Sequence, residues 1–496
     1  MTLSIIAGLF ILWFAVILLR AVLLKPAENA GCSMPDFVPE TNIDMDEAAK
    51  RFSELIGCCT VAPENMPVKD GINGYSEFER FRELLKVFYP LTHKKLEFEL
   101  IGDHSLLYRW NGRNSDKPLL LMAHYDVVPA DESQWSRPPF SGKIDQGIIW
   151  GRGTLDTKVT LCGILETVEA LLNVDFKPDH DIYLAFGHDE ETMGSGAPAI
   201  VETLKSRGIR PELVLDEGGA IVNGIFPGVK KPIAVVGMAE KGVADIEIVL
   251  EGSGGHSSTP GRINPIGLIS KIILQVEKNP FRAHLPLEVE EMFSILGRHM
   301  PFTFRVVFAN LWCFKPLLLK LLPIISREFN ALCRTTCVFT MAEAGSASNV
   351  IPEKVRVVAN LRLAAIDPID KALGQINKHA GIASAKALKG SDPLKLNVRI
   401  IHGHNASPSS STSSSAFRKL ADTVEKVFTG TIVTPYIMLG ASDSRHYCLI
   451  SDNVLRFSPI QMSREELRSI HGIDERIPVE KFKQVIDFYL NLVTRP

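Results

Sequence analysis

Leu119-Leu120-Leu121-Met122-Ala123 leads into His124-Tyr125-Asp126, and Ile182-Tyr183-Leu184-Ala185-Phe186 leads to His188-Asp189-Glu190-Glu191. A third run, Leu213-Val214-Leu215, stops on Asp216-Glu217-Gly218-Gly219. A short apolar run bounded by turn residues suits a strand buried on both faces. The segments between the runs have helical spacing. Leu161, Ile164, Leu165, Val168, Leu171 and Leu172 share one face of the first, and Ile200 and Leu204 anchor a shorter second that stops at Gly208. Strand-helix-strand-helix-strand predicts a parallel sheet with right-handed crossovers. In such sheets the ligand crevice lies beyond the carboxyl ends of the strands, so all three clusters reach one rim. That convergence predicts a metal centre.

The chain has 496 residues, enough for two domains or more. With 46% hydrophobic and 22% charged residues it can bury a sizeable core. A net charge of -3 gives no reason to expect nucleic acid, which needs a basic patch. Eight cysteines are scattered, Cys58 and Cys59 adjacent, with no C-x-x-C repeat to suggest a structural zinc site and nothing that demands disulfides.

Residues 3 to 24 are apolar except for Arg20. The unbroken part, Leu3 to Leu19, is at the short limit for a membrane span of roughly 17 to 25 residues. A single-pass anchor is favoured, because no clean small-x-small cleavage site follows; a cleaved signal peptide and a buried helix are the competing readings. Arg20 and Lys25 follow the run and no cation precedes it, which by the positive-inside rule puts the bulk of the chain in the cytoplasm; a secretory segment does the opposite. A linker over 26–45 precedes helices from about Asp46 to Ile56 and Tyr75 to Val87. After about Ala239 the pattern reads strand-helix-strand twice over, with Gly252 to Gly261 a Gly/Ser loop containing His256. Residues 281 to 340, rich in Phe, Leu and Pro, fit neither part. Lys320 and Pro323 argue against a second span there, leaving core helices or an apolar cover over a pocket. Ser407 to Ser415 reads as a loop capping a helix near Ala416, after which helix-strand alternation completes the first sheet.

Imidazole with carboxylate suits zinc and similar divalent ions. Two ions about 3.5 to 4 Å apart share a bridging carboxylate and a hydroxide that attacks a carbonyl. Such a site needs one bridge, a histidine and a carboxylate for each ion, and a spare carboxylate as base. Adjacent Glu190 and Glu191 suit the last two tasks, since neighbouring side chains on a turn point in different directions. Asp156 sits at the amino end of the first long helix, where the dipole favours an anion.

The motifs His124-Tyr125-Asp126-Val127-Val128-Pro129, Trp150 to Lys158, His188 to Glu191, Leu215 to Gly219, Gly255-His256-Ser257-Ser258 and Ile470-His471-Gly472 stand in one order over about residue 45 to the end. With them the chain resembles the co-catalytic zinc aminoacylase/carboxypeptidase family, nearest to its carboxypeptidase S and N-fatty-acyl-amino-acid synthase/hydrolase members. The resemblance implies that His124 binds one zinc and Asp126 orients that histidine. It implies that Asp156 bridges the two zinc ions, Glu190 is the general base and Glu191 binds the second ion. Glu217 completes the first site, although Asp216 could do so from sequence alone; His471 completes the second, with His446 competing. His256 corresponds to a histidine that stabilises the oxyanion, often from the partner subunit, and Asn349 and Arg362 to substrate-binding positions. Ala441 and Ser442 depart from the commoner Gly-Gly-Thr-Asp loop.

The expected fold class is α/β. A mainly parallel-sheet zinc-hydrolase catalytic domain spans 45–238 and 404–496, with an inserted α+β (ferredoxin-like) lid/dimerisation domain over 239–403 and an N-terminal apolar segment over 1–25. The expected activity is a di-zinc amidohydrolase or carboxypeptidase. It cleaves an amide next to a free carboxylate, in a peptide C-terminus or an N-acyl amino acid, by attack of zinc-bound hydroxide with Glu190 as base. Reverse condensation to N-acyl amino acids and a homodimer formed through the inserted domain fall within the same reading. An inactive metal-binding scaffold is the alternative from another class, and a metal phosphodiesterase is weaker for want of a phosphate-cradling glycine loop.

Overall fold

Each of the three apolar runs folds as the central strand it predicts. In the computed structural model, which describes residues 2–26, 38–63, 74–387 and 394–495, they form Asn114–His124, His180–Gly187 and Leu213–Asp216. Of the linker expected over 26–45, residues 27–37 lie outside the described residues. Asn114–His124 lies in the middle and pairs in parallel with both neighbours, Leu120 opposite Tyr183 on one side and Val214 on the other. Successive strand residues point to opposite faces. Thus Leu119, Leu121 and Ala123 enter the larger core with helix Lys158–Asn173, while Leu120 and Met122 enter a smaller one with helix Gly196–Ser206. A sheet covered on both faces is why these strands are apolar throughout rather than alternating.

The sheet has ten strands. Antiparallel Glu97–Ile101 and Ser105–Trp110 form one edge. Beyond Leu213–Asp216 come Val454–Arg456 and then Ile233–Glu240, with Ile432–Met438 parallel to the latter. The chain after 404 therefore returns to the first sheet. The loop over 407–415 runs along it, since Ser407 and Ser410 N–H donate to Glu240 and Met238 carbonyls, before Ser414 caps helix Ser415–Val427.

A second sheet has the order Thr336–Glu343, Lys354–Leu363, Gly242–Glu251, Lys395–His404, all antiparallel. Helices Pro265–Glu277 and Ile369–Ala387 pack together on it, over a core of its own that includes Ile246, Ile248, Leu268, Ile272, Leu361 and Ile376. In chain order this is strand-helix-strand-strand-helix-strand, the split βαβ arrangement.

Residues 287–333 interrupt that unit and join the other core. Val289, Met292, Phe293 and Leu296 of helix Leu287–Gly297 are buried against strand Ile432–Met438. This segment is an ordinary core helix. The next two, Phe302–Phe308 and Leu311–Ile325, meet at a 100° bend and leave much of their apolar surface in the open. The N-terminal helix Thr2–Leu23 lies against the first of them, burying only Ile17 and Ala21 deeply while Leu3 through Leu23 are otherwise largely exposed. A helix so little covered is not a core helix, and it is long and apolar enough to cross a membrane.

Candidate metal centre

Six of the predicted side chains meet at the carboxyl rim of the first sheet. His124, at the last position of its strand, is 2% exposed. Its Nε2 lies 3.1 Å from Asp156 Oδ1 and 3.5 Å from Glu217 Oε1. His471 Nε2 lies 2.9 Å from Asp156 Oδ2 and 3.2 Å from Glu191 Oε1. The two oxygens of Asp156 thus face two different imidazoles, one from each end of the chain. Ligand atoms of His124, Asp156 and Glu191, and of His124, Glu190 and Glu217, fall within 4.8 Å of one another.

Asp126 braces both sides of this cluster. His124 Nδ1 lies 3.0 Å from its main-chain oxygen and 3.3 Å from its carboxylate, so the backbone contact is the closer of the two. The other carboxylate oxygen accepts the Glu191 N–H at 3.0 Å. A neighbour that fixes a ligand imidazole fixes its tautomer and direction as well.

The choices left open by the sequence have different geometric surroundings. Asp216 turns away, its Oδ2 accepting the Ser444 N–H at 3.1 Å, while Glu217 reaches His124. His446 stands apart among Arg445 and His404, and burial pushes its imidazole down to about 4. His256 is exposed on the short strand Gly255–His256, its Nδ1 hydrogen-bonded to the hydroxyl and N–H of Ser258. Asn349 is its neighbour there, accepting the Ser257 N–H through its carbonyl, and Arg362 lies on Lys354–Leu363. Arg362 is thus in the second sheet, while His256 and Asn349 belong to a separate two-stranded ladder, Gly255–His256 with Val350–Ile351, and its turn.

Two buried networks escaped sequence reasoning. Glu475, 0% exposed, accepts from Arg152 Nη1 at 2.8 Å and from the N–H groups of Gly153, Leu155 and Asp156 at 3.2, 2.7 and 3.3 Å. It pins the loop that presents Asp156, and Gly153, at φ 90°, takes the left-handed backbone that lets the loop curl around the carboxylate. Its only sequence signal was position, four residues after His471. Asp189 likewise accepts the Ser195 and Gly196 N–H groups, tying the Glu190–Thr192 turn to the helix that follows.

The electrostatics follow from crowding acids in a dry place. Burial pushes Glu190 well above the usual carboxylate range; His124 opposes this, while Glu217, Asp443 and Glu191 add to it. Burial and the Asp156 charge raise Glu217 similarly, and burial lifts Asp443 to about 8. Asp156 is the exception: burial would raise it, but His124 and His471 outweigh that and hold it low. Asp156 and Glu191 in turn raise His471 to about 10. A potential that draws protons onto two imidazoles also draws divalent cations, and nitrogen-plus-carboxylate donors fit zinc.

Two imidazoles and four carboxylates gathered at one rim make a candidate centre for divalent metal. The profile of peptidase family M20/M25/M40 matches residues 120–495. The chain belongs to this family and is a hydrolase of it. It is 39% identical over 466 residues to a probable carboxypeptidase S-like 2 of Dictyostelium discoideum, covering 92% of this chain and 87% of that one. To the N-fatty-acyl-amino acid synthase/hydrolase PM20D1 of Xenopus tropicalis it is 34% identical over 420 residues, covering 83% and 80%. Its fold is similar to that of the M20 family metallo-carboxypeptidase Sso-CP2 from Sulfolobus solfataricus, with a TM-score of 0.65 at 20% identity over 91% of this chain and 99% of that one.

Proposed function

We propose that the protein is a two-zinc amidohydrolase that cleaves an amide bond beside a free carboxylate. The observation that carries this reading is Asp156, whose two oxygens face separate imidazoles. His124 and Glu217 would hold one ion, His471 and Glu191 the other, with Asp156 between them. When bound, the pair supplies Lewis acidity at the scissile carbonyl and a water of lowered pKa. Glu190 is the group that moves the proton. Burial raises its carboxyl above the usual carboxylate range, which makes it the more basic, so it takes a proton from the attacking water and returns it to the leaving amine. Asp126 keeps His124 aligned and, through the Glu191 N–H, holds the Glu190–Glu191 turn.

We assign the second sheet, over 239–403 apart from the segment 287–333 that packs in the first core, as a lid and dimerisation domain that carries the substrate-recognising residues. Arg362 supplies a fork for the free carboxylate, Asn349 binds the carbonyl region, and His256 stabilises the oxyanion from the partner of a homodimer. The exposed position of His256 fits action in trans. The N-terminal helix is a membrane anchor. With that anchor and the exposed apolar bend, the preferred substrates are N-acyl amino acids with a lipophilic acyl group, and the same site runs the condensation in reverse when fatty acid and amino acid are abundant. Incubating the purified chain with zinc and a panel of N-acyl amino acids and dipeptides, then identifying the released amino acid, tests this. Release that survives unchanged in Glu190→Gln, or no release by the zinc-loaded parent, refutes the mechanism.

A further inference from the structure

The bent helix pair is fastened to the N-terminal helix by buried polar contacts, not merely by proximity. Asn310, fully buried at the bend, donates through Nδ2 to the Ile17 carbonyl at 3.0 Å and the Val306 carbonyl at 2.9 Å. Arg20 Nε donates to the Ala309 carbonyl at 3.0 Å. Whatever medium surrounds the N-terminal helix therefore also reaches the bend. The pair's outer surface is suited to lipid: Phe302, Phe304, Trp312, Leu317, Leu321 and Ile324 are all at least 41% exposed. On Leu311–Ile325, positions 317, 321 and 324 share one face by helical spacing. Its 15 residues extend about 22 Å, short of the roughly 30 Å hydrocarbon core, and Pro316 and Pro323 interrupt it, so it does not span.

Charge completes the match. Where the chain leaves the N-terminal helix, a recess of about 400 Å³ is lined by Pro26, Lys230, Lys231, Arg298 and Arg305, with no acidic side chain among its lining residues. Leu24 packs beside Gly297 at the same level. Cations at the end of an apolar helix lie where phospholipid headgroups lie.

We propose that Phe302–Phe308 and Leu311–Ile325 form a wedge sunk in the leaflet through which the N-terminal helix leaves the bilayer, with Lys230, Lys231, Arg298 and Arg305 against anionic headgroups. The partner is a bilayer, which the wedge meets as an interfacial amphipathic element does. Lys320 reaches the surface along its alkyl stem. The inference extends the lipophilic-substrate reading above, since a body seated this way draws its acylated substrate from the leaflet instead of from water.

The test uses the full chain in vesicles of phosphatidylcholine and phosphatidylserine with brominated acyl chains. Trp110, Trp135 and Trp150 stay in every variant, so the signal of Trp312, reporter of the wedge, is the emission difference between the parent and Trp312→Phe, and that of Trp13, reporter of the anchor, the difference between the parent and Trp13→Phe. The expected result is loss of emission from both reporters relative to unbrominated vesicles. Leu317→Glu with Ile324→Glu, both exposed positions, restores Trp312 emission and leaves Trp13 quenched. Trp312 staying bright while Trp13 is quenched overturns the wedge, and both staying bright overturns wedge and anchor together. Equal quenching of Trp312 in phosphatidylcholine alone overturns the headgroup contact. None of these readings involves catalysis, so hydrolysis by the same chain in detergent is judged separately.

Discussion

Replacing Glu475 by Gln keeps the shape of the side chain and removes its charge. One oxygen of Glu475 accepts from Arg152 Nη1 and the Gly153 N–H, the other from the Leu155 and Asp156 N–H groups. A glutamine must turn its NH2 toward one of these donor pairs. Arg152, 3% exposed, then keeps its charge without its counter-charge. Breaking a buried ion pair from one side costs about 3–5 kcal/mol, and the displaced N–H groups add roughly 1–3 kcal/mol for each left unsatisfied. Burial raises the Glu475 carboxyl, while Arg152 and the Leu155 N–H lower it, so some of the pair's attraction already offsets desolvation; about 4 kcal/mol is the expected loss. Equilibrium urea unfolding followed by tryptophan emission measures it. Because the same carboxylate holds the Asp156 loop, zinc affinity falls by about 10- to 100-fold in competition with a chromogenic chelator. A variant that unfolds within about 0.5 kcal/mol of the parent, as a surface substitution does, and binds zinc equally well refutes the role given to Glu475.

Glu190→Gln lowers turnover by a factor on the order of 10² to 10⁴ with zinc content unchanged, read by steady-state kinetics beside metal analysis. His471→Ala weakens zinc binding by at least about tenfold and His446→Ala leaves it as in the parent; equal effects would reverse the assignment. Lys241 is buried, its Nζ donating to the Ala331 and Arg334 carbonyls, and burial pulls it down to about 7 from the ordinary 10.5. Between those two values the unfolded chain binds a proton that the folded chain does not, so this group makes stability rise with pH across that window. The stability of the parent minus that of Lys241→Met should climb by up to about 1.4 kcal/mol per pH unit above pH 7. A flat difference in urea midpoints between pH 7 and 10 refutes the shift.

The central strands were readable because burial on both faces leaves an apolar run that no other element imitates at that length, and the ligands sit where each run stops. The second sheet was readable from alternation in segments such as Ala244 to Leu250. What sequence hid was partnership across distance. Glu475 in Asp474-Glu475-Arg476 looks like a solvated turn, because its four donors lie some 320 positions earlier. Asp216 and Glu217 are indistinguishable until the Ser444 N–H claims one of them. Lys320 and Pro323 argue against a second span, and the 100° bend between Phe302–Phe308 and Leu311–Ile325 is a feature that the residue pattern alone did not reveal.

The loop bearing His471 and Glu475 follows Glu217 by more than 250 positions in the chain. It contributes an imidazole to Asp156 and, through Glu475, the anchor for the turn on which Asp156 stands. A nascent chain still missing that loop already has His124 and Glu191, yet nothing to set the carboxylate between them. Synthesis proceeds at about 5–20 residues per second, so for many seconds the growing polypeptide carries most of its donors without a working centre. The two imidazoles can therefore flank Asp156 only once the loop after residue 470 has been made.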